Sequence, residues 1–215
     1  IDYCFISHFH DDHYGGLPFL IKKRIIKNII YNDTIGSHPF FNDLSILCKD
    51  YNVELKQFDT SAITIDNIKI FNLNSENNNK KELSKNDKNI SFNSKINNSS
   101  SVLKVIYGKN SFLFTGDIEK EKEIELIKKW SDFLDSDVLK VAHHGSKTSS
   151  DSEFLKIVSP QKSIIFVGLN NKFGFPSKET LNKLINYNSI ILRTDIDNAI
   201  ILESDGINIS RILWN

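Results

Sequence analysis

Five of the six histidines in this 215-residue chain fall in two short stretches. The first is Ser7-His8-Phe9-His10-Asp11-Asp12-His13-Tyr14-Gly15-Gly16. His8 and His10 are two apart, so on an extended chain both imidazoles point the same way. Asp12 and His13 follow across a turn and reach a neighbouring position. Three imidazoles and a carboxylate this close suit a borderline divalent ion, Zn²⁺ first, with Mn²⁺ or Fe²⁺ as alternatives. The cluster abuts an apolar run, where unpaired imidazoles are costly, which argues against a bare His-rich surface loop.

The second stretch is Leu139-Lys140-Val141-Ala142-His143-His144-Gly145-Ser146, again a buried strand ending in histidines and a glycine. A third, Phe112-Leu113-Phe114-Thr115-Gly116-Asp117, delivers a carboxylate just past an apolar strand. Alone, most such aspartates cap turns. Beside the other two motifs, Asp117 reads as a bridging ligand between metals.

The elements that must hold these motifs follow from the pattern of apolar residues. Strands are expected at 1–7, Asn28–Tyr31, Val53–Phe58 and Ser61–Phe71, with helices over Leu17–Arg24 and Phe40–Asp50. Further strands are expected at Val102–Tyr107 and Ser111–Thr115, then a polar helix over Glu119–Trp130. A strand at Asp137–Val141, a helix near Ser152–Val158 and a strand at Ser163–Val167 follow. A helix over Ser177–Asn186 precedes three closing strands, Ile190–Arg193, Ala199–Glu203 and Ile207–Leu213. Strand-rich and helix-rich stretches alternate, giving an α/β or α+β layered domain. Residues 72–100 are dominated by Asn, Lys and Ser and read as a disordered surface insertion that cannot bury enough surface to offset its ordering entropy.

Lys plus Arg equals Asp plus Glu at 27 each, so no global basic field attracts nucleic acid. Cys4 and Cys48 are too few for a disulfide framework, and Cys4 reads as a small buried hydrophobe. No apolar run reaches membrane-spanning length. The chain opens directly on a strand-like segment and contains no Met, which reads as a piece of a longer protein.

HxHxDH followed by GG, the later TGD and the still later HHGS resemble the metallo-β-lactamase superfamily. Finer detail is similar to the C-terminal domain of ComEC-type competence proteins. It comprises Asn98-Ser99-Ser100-Ser101-Val102, FLFTGDIE, DVLKVAHHGSKTSSDSEFL, Pro160, Val167-Gly168 with Asn170-Asn171, FGFPS, and Arg193-Thr194-Asp195. The resemblance runs from residue 1 to about 205, apart from the insertion. It implies a single αββα sandwich over 1–215, lacking its N-terminal strands, because that branch carries a DxGQGD-like strand pair before HxHxDH that has no counterpart here.

It also implies a ligand scheme for one or two divalent ions, Zn or Mn. His8, His10 and His144 would hold one ion, Asp12 and His13 the second, and Asp117 would bridge. His143 would position substrate or orient a ligand, and Asp12 could accept a proton. Ser146, Lys147 and Thr148 would offer hydroxyl, ammonium and backbone N–H groups to a phosphate. Arg193 and Asp195 read as a structural ion pair. Two departures bear on the site. Phe175 stands where a histidine is common, and the Asn98–Ser101 stretch replaces the middle histidine ligand. His38, the remaining histidine, reads as a surface loop residue.

The implied activity is a phosphodiesterase or DNA nuclease linked to DNA uptake, beside a membrane channel outside this chain. The alternatives are a hydrolase of a small ester (a phosphocholine ester, lactone or thioester) and a non-catalytic module stapled by its metal.

Overall fold

A computed structural model describes residues 1–32, 40–58, 62–75 and 91–213. Among them, β1 (Tyr3–Phe5), β2 (Asn28–Tyr31) and β3 (Glu54–Gln57) pair in parallel. Helices α1 (Asp11–Tyr14), α2 (Leu17–Lys22) and α3 (Phe40–Asp50) connect them. Ile21, Ile29 and Leu44 are fully buried between this sheet and its helices.

The second sheet has seven strands in the order β10-β9-β8-β7-β6-β5-β4. They are β4 (Ala62–Ile65), β5 (Ile68–Asn72), β6 (Leu103–Tyr107), β7 (Asn110–Phe114), β8 (Val138–Lys140), β9 (Lys162–Ile165) and β10 (Ile190–Arg193). β4 to β7 form an antiparallel meander, and β7 to β10 run parallel. Helices α4 (Phe92–Asn98), α5 (Lys120–Trp130), α6 (Ser152–Val158), α7 (Lys178–Asn186) and α8 (Thr194–Asp197) interleave with these strands. The largest core joins Leu113, Leu139 and Ile165 of the sheet to Leu126, Phe154, Leu155 and Leu184 of α5, α6 and α7. Each such side chain stabilises the fold by roughly 1.5–3 kcal/mol. A third cluster, Ile30, Phe58 and Ile70 with Phe5, Leu103 and Val105, glues the two sheets face to face. The layers are therefore helix, sheet, sheet, helix. A hairpin of β11 (Ile201–Ser204) and β12 (Ile209–Ile212) closes the chain.

Two readings need correction. The single strand expected over Ser61–Phe71 is a hairpin, turned at Asp66-Asn67, with Asp66 at φ 50°. The uninterrupted β-branched pattern hid the turn, which a short polar pair supplies. The segment 72–100 is structured at both of its described ends. Ser91 caps α4 by accepting the Ser94 N–H at 3.1 Å, and the Asn74 amide donates to the Asn98 and Ser100 carbonyls at 3.0 and 2.8 Å. Its Asn and Ser side chains satisfy backbone groups at the sheet edge, a use that apolar counting does not register. His38 lies outside the described residues.

Candidate metal centre

Every candidate ligand follows the carboxyl end of a strand, where open α/β sheets place ligands. β1 leads to Ser7 and His8, β7 to Asp117, β8 to His143 and His144, and β9 to Phe166. His10, Asp12 and His13 follow on the turn into α1. The edge is cross-tied between sheets, since Ser101 donates its N–H to the Ser7 carbonyl at 2.7 Å and its hydroxyl to the Ile6 carbonyl at 3.1 Å.

Two glycines are dictated by close approach. Gly116 (φ 54°) would drive a Cβ to 2.5 Å from the Ser100 Cβ. Gly145 (φ 80°) would drive one to 2.6 Å from the Pro176 Cβ. His143 and His144 also have left-handed backbone, at φ 49° and 53°. Three successive left-handed residues turn both imidazoles back toward the sheet edge, a strained arrangement of the kind found at functional sites.

Four atoms converge. Asp117 Oδ2 lies 3.4 Å from His13 Nε2 and 3.4 Å from His144 Nε2. Asp12 Oδ2 lies 3.6 Å from His13 Nε2 and 3.3 Å from His144 Nε2. Ligand atoms about 2.1 Å from a tetrahedral ion are separated by about 3.4 Å, so these spacings fit one. Both imidazole nitrogens are buried without a hydrogen-bond partner. The other ring nitrogens account for this. His144 Nδ1 lies 2.6 Å from the Phe166 carbonyl and must donate to it, leaving Nε2 as a bare lone pair. His13 Nδ1 pairs with the Ser7 hydroxyl at 3.0 Å. Two buried imidazole nitrogens without a hydrogen-bond partner and two carboxylates around one point suit a divalent cation, and the residues present fit it.

His8 and His10 are arranged differently. His8 is fully buried, its Nε2 lies 3.1 Å from His10 Nδ1, and its Nδ1 faces the Ser7 and Ser100 hydroxyls at 3.2 Å each. Burial, reinforced by His13 nearby, pushes its pKa down to about 3, so the ring is neutral. A second possible grouping, His8 with His13 and Asp117, overlaps the first. His144 Nε2 lies 3.3 and 3.4 Å from the Asp12 and Asp117 carboxylates. The reason is the β9 edge, which fixes the His144 ring through the Phe166 carbonyl on the Asp12 side.

Asp117 is buried, and burial alone would raise its pKa. The nearby His13 and His144 rings and the Lys140 charge outweigh that and hold it below the usual carboxylate range. Lys140, itself buried, donates to the Gly116 carbonyl at 2.7 Å and to Asp117 Oδ1 at 3.3 Å. Burial lowers the Lys140 pKa while Asp117 opposes the shift. Ser100 accepts the Asp117 N–H at 3.0 Å. Neither Lys140 nor Ser100 was singled out from the sequence. A lysine inside the apolar run Val138–Val141 was the available signal.

His143 stands outside the four-atom cluster. Its Nδ1 lies 3.3 Å from the Thr148 hydroxyl and 3.7 Å from Glu119 Oε1, and burial lowers its pKa. Ser146 is buried, with its hydroxyl accepting the Thr148 N–H at 3.3 Å and its carbonyl accepting from Ser149 and Thr180. Lys147 and Thr148 are exposed beside it, on the far side of His143 from the four-atom cluster. The loop turns inward because Glu123, fully buried, accepts the Ser150 and Asp151 N–H groups at 2.7 and 2.8 Å. Arg193 and Asp195 form a bidentate pair at 3.0 and 2.6 Å, and Thr194 between them bonds Val167.

The centre opens into a cleft of about 690 Å³. Asn97, Glu119 and His143 give it a polar side, and Phe166, Phe173 and Phe175 an aromatic one. Phe175 stacks on His144, with ring centroids 6.4 Å apart and planes at 16°.

Strand order and layering give a metallo-β-lactamase fold with a candidate His/Asp metal site at its sheet edge. A family model described as the metallo-beta-lactamase superfamily matches residues 92–168. The fold is shared with the metallo-beta-lactamase fold protein YhfI of Bacillus subtilis, at TM-score 0.53 and 12% identity, covering 90% of this chain and 74% of that one. It is also shared with a mutant of CmlA beta-hydroxylase, at TM-score 0.54 and 12% identity, covering 90% of this chain and 43% of that one.

The chain also resembles ComEC-type competence proteins. It is 28% identical over 201 residues to ComE operon protein 3 of Bacillus subtilis, covering 93% of this chain and 24% of that protein. It is 37% identical over 104 residues to competence protein ComA of Neisseria gonorrhoeae, covering 48% of this chain and 15% of that protein. It is 36% identical over 104 residues to recombination protein 2 of Haemophilus influenzae, covering 48% of this chain and 13% of that protein. The chain thus spans about a quarter or less of the length of these relatives. Among the described residues no helix is long and apolar enough to cross a membrane.

Proposed function

We propose that this chain is a metal-dependent phosphodiesterase that cleaves DNA, working within DNA uptake as part of a larger membrane-associated protein. The observation that carries the metal-dependent reading is the convergence of Asp12, His13, Asp117 and His144 with two unpartnered imidazole nitrogens. The DNA assignment is supported by the competence and recombination names of the relatives.

Asp12, His13, Asp117 and His144 would hold a divalent ion, Zn²⁺ or Mn²⁺, which would supply Lewis acidity for hydrolysis near neutral pH. Lys140 fixes the Asp117 carboxylate by taking Oδ1, which leaves Oδ2 to face the histidines. The Phe166 carbonyl fixes the His144 tautomer in the same sense. His143 lines the cleft outside the ligand cluster, within reach of Glu119 and Thr148, and serves to position substrate. Asp12 is exposed and reaches the same region, where it takes a proton from the attacking water.

The test is degradation of DNA with added Mn²⁺ or Zn²⁺, against an Asp117→Ala control. The proposal expects turnover in the wild type and a loss of roughly a thousandfold or more in the variant, the scale of several kcal/mol of charge stabilisation. Wild-type turnover in Asp117→Ala would sink the site assignment. Hydrolysis of a small ester but not of DNA would transfer the site to the small-substrate reading.

A further inference from the structure

The aromatic side of the cleft is built as a ladder of rings. His144 and Phe175 stack at 6.4 Å and 16°, and Phe175 and Phe173 at 5.6 Å and 19°. The ladder starts at a metal-ligand histidine and ends on Phe173, which is 67% exposed. A large apolar ring held in water at the mouth of a polar cleft gains nothing for the fold.

Its loop is not free to collapse. The Asn171 side chain accepts the Phe175 N–H at 2.9 Å and donates to the Phe175 carbonyl at 2.7 Å. The Thr194 hydroxyl accepts the Val167 N–H and donates to the Val167 carbonyl, both at 2.8 Å. The shelf is therefore preorganised. Lys172 stands at its edge, with its ammonium 5.2 Å from the Phe173 ring centre. Asn97, which lines the same cleft, donates to Glu119 at 2.9 Å, while its buried Oδ1 has no hydrogen-bond partner. A buried acceptor in that state costs free energy until a donor reaches it.

A flat ring edged with N–H groups and joined to a phosphate would use all three features: ring faces to stack on, a cation for the phosphate, and an acceptor for an amine. We propose that the Phe173–Phe175 shelf stacks an unpaired nucleobase of the substrate, with Lys172 taking an adjacent phosphate, so that the strand offered to the metal centre is single. In a duplex both faces of each internal base are already covered by neighbours, so the shelf selects against it. The inference rests on the nuclease reading and names the form of nucleic acid that the same site takes.

The test is binding, read by fluorescence anisotropy without added metal. The probes are a short oligodeoxycytidylate, an abasic strand of the same length, and the corresponding duplex. The wild type should bind the oligodeoxycytidylate about tenfold more tightly than the abasic strand or the duplex, on the scale of one base–aromatic stack. Phe173→Ala should erase that difference and Phe173→Tyr should keep it. Equal binding of the normal and abasic strands, or unchanged binding by Phe173→Ala, would overturn the shelf. Cleavage with Mn²⁺ is scored separately. Base-dependent binding without cleavage would refute the nuclease reading and leave the shelf, whereas cleavage with an unaltered KM in Phe173→Ala would refute the shelf alone.

Discussion

His8 and His10 face each other at 3.1 Å, and the Ser7 and Ser100 hydroxyls take the remaining nitrogen of His8. Beside them, His13 and His144 each present a buried Nε2 with no hydrogen-bond partner to two carboxylates. Both halves come from the same kind of motif, histidines at the end of an apolar strand. One half sets its rings nitrogen to nitrogen, and the other sets two unpartnered nitrogens against two carboxylates. What separates the halves is the neighbouring carboxylate. Asp12 faces His13 and His144 alone, whereas Asp117 also lies within reach of His8.

The largest expected effect on this contrast comes from Lys140. Lys140→Met leaves Asp117 as a buried carboxylate without its cation, which costs about 3–5 kcal/mol when a buried pair is broken from one side. Thermal melting without metal should drop sharply. Added Zn²⁺ should restore most of the loss, because the ion replaces the missing positive charge at Asp117. Melting that is unchanged by the substitution, or not recovered by Zn²⁺, would mean that Lys140 does not hold the open half.

A smaller effect concerns Glu123, which anchors the loop behind His143. Burial raises its pKa to about 7, against the lowering influence of the Asp151 and Ser150 N–H groups. The folded chain therefore holds this proton more tightly than the unfolded chain, whose ordinary value is 4.5. Its stabilising contribution is complete below that ordinary value and is lost as pH rises through about 7. The change is on the order of 3 kcal/mol. Glu123→Gln should flatten the fall in melting temperature between mildly acidic and mildly basic buffer. An identical pH dependence in the variant would assign the effect to other groups.

The smallest effect is expected from Ser100→Ala in the His8–His10 half. It removes contacts to His8 Nδ1, the Asp117 N–H and the Asn97 carbonyl, and should cost about 1–3 kcal/mol in urea unfolding. Metal affinity should stay within about tenfold of wild type, the lower end of an outer-partner effect. A loss of metal binding as large as that from removing His144 would erase the distinction between the halves.

The layered α/β architecture was legible because apolar periodicity reports which face of each element is buried, and the strands of the large sheet are strongly apolar. The hairpin at Asp66-Asn67 was not, because both of its strands share one alternating pattern and the turn is a short polar pair. Helix Phe92–Asn98 was missed because its contribution is hydrogen bonding by Asn and Ser, which compositional reading counts as disorder. That these histidines and aspartates gather at one sheet edge was legible in the ends of the apolar strands. The contact of His144 with Asp12 was not, since it depends on the Phe166 carbonyl, reached only when β9 lies beside β8. The inward turn of Ser146 was hidden for a similar reason, because Glu123 acts from a helix distant in sequence.

The most direct measurement is calorimetric titration of Zn²⁺ into the metal-free chain and into His144→Ala and His10→Ala. One tight ion should bind the wild type. His144→Ala should weaken it beyond the ten- to hundredfold typical of losing an outer partner, while His10→Ala should keep it within that range. Two equally tight ions in the wild type, or equal losses in the two variants, would contradict a centre poised on Asp12, His13, Asp117 and His144.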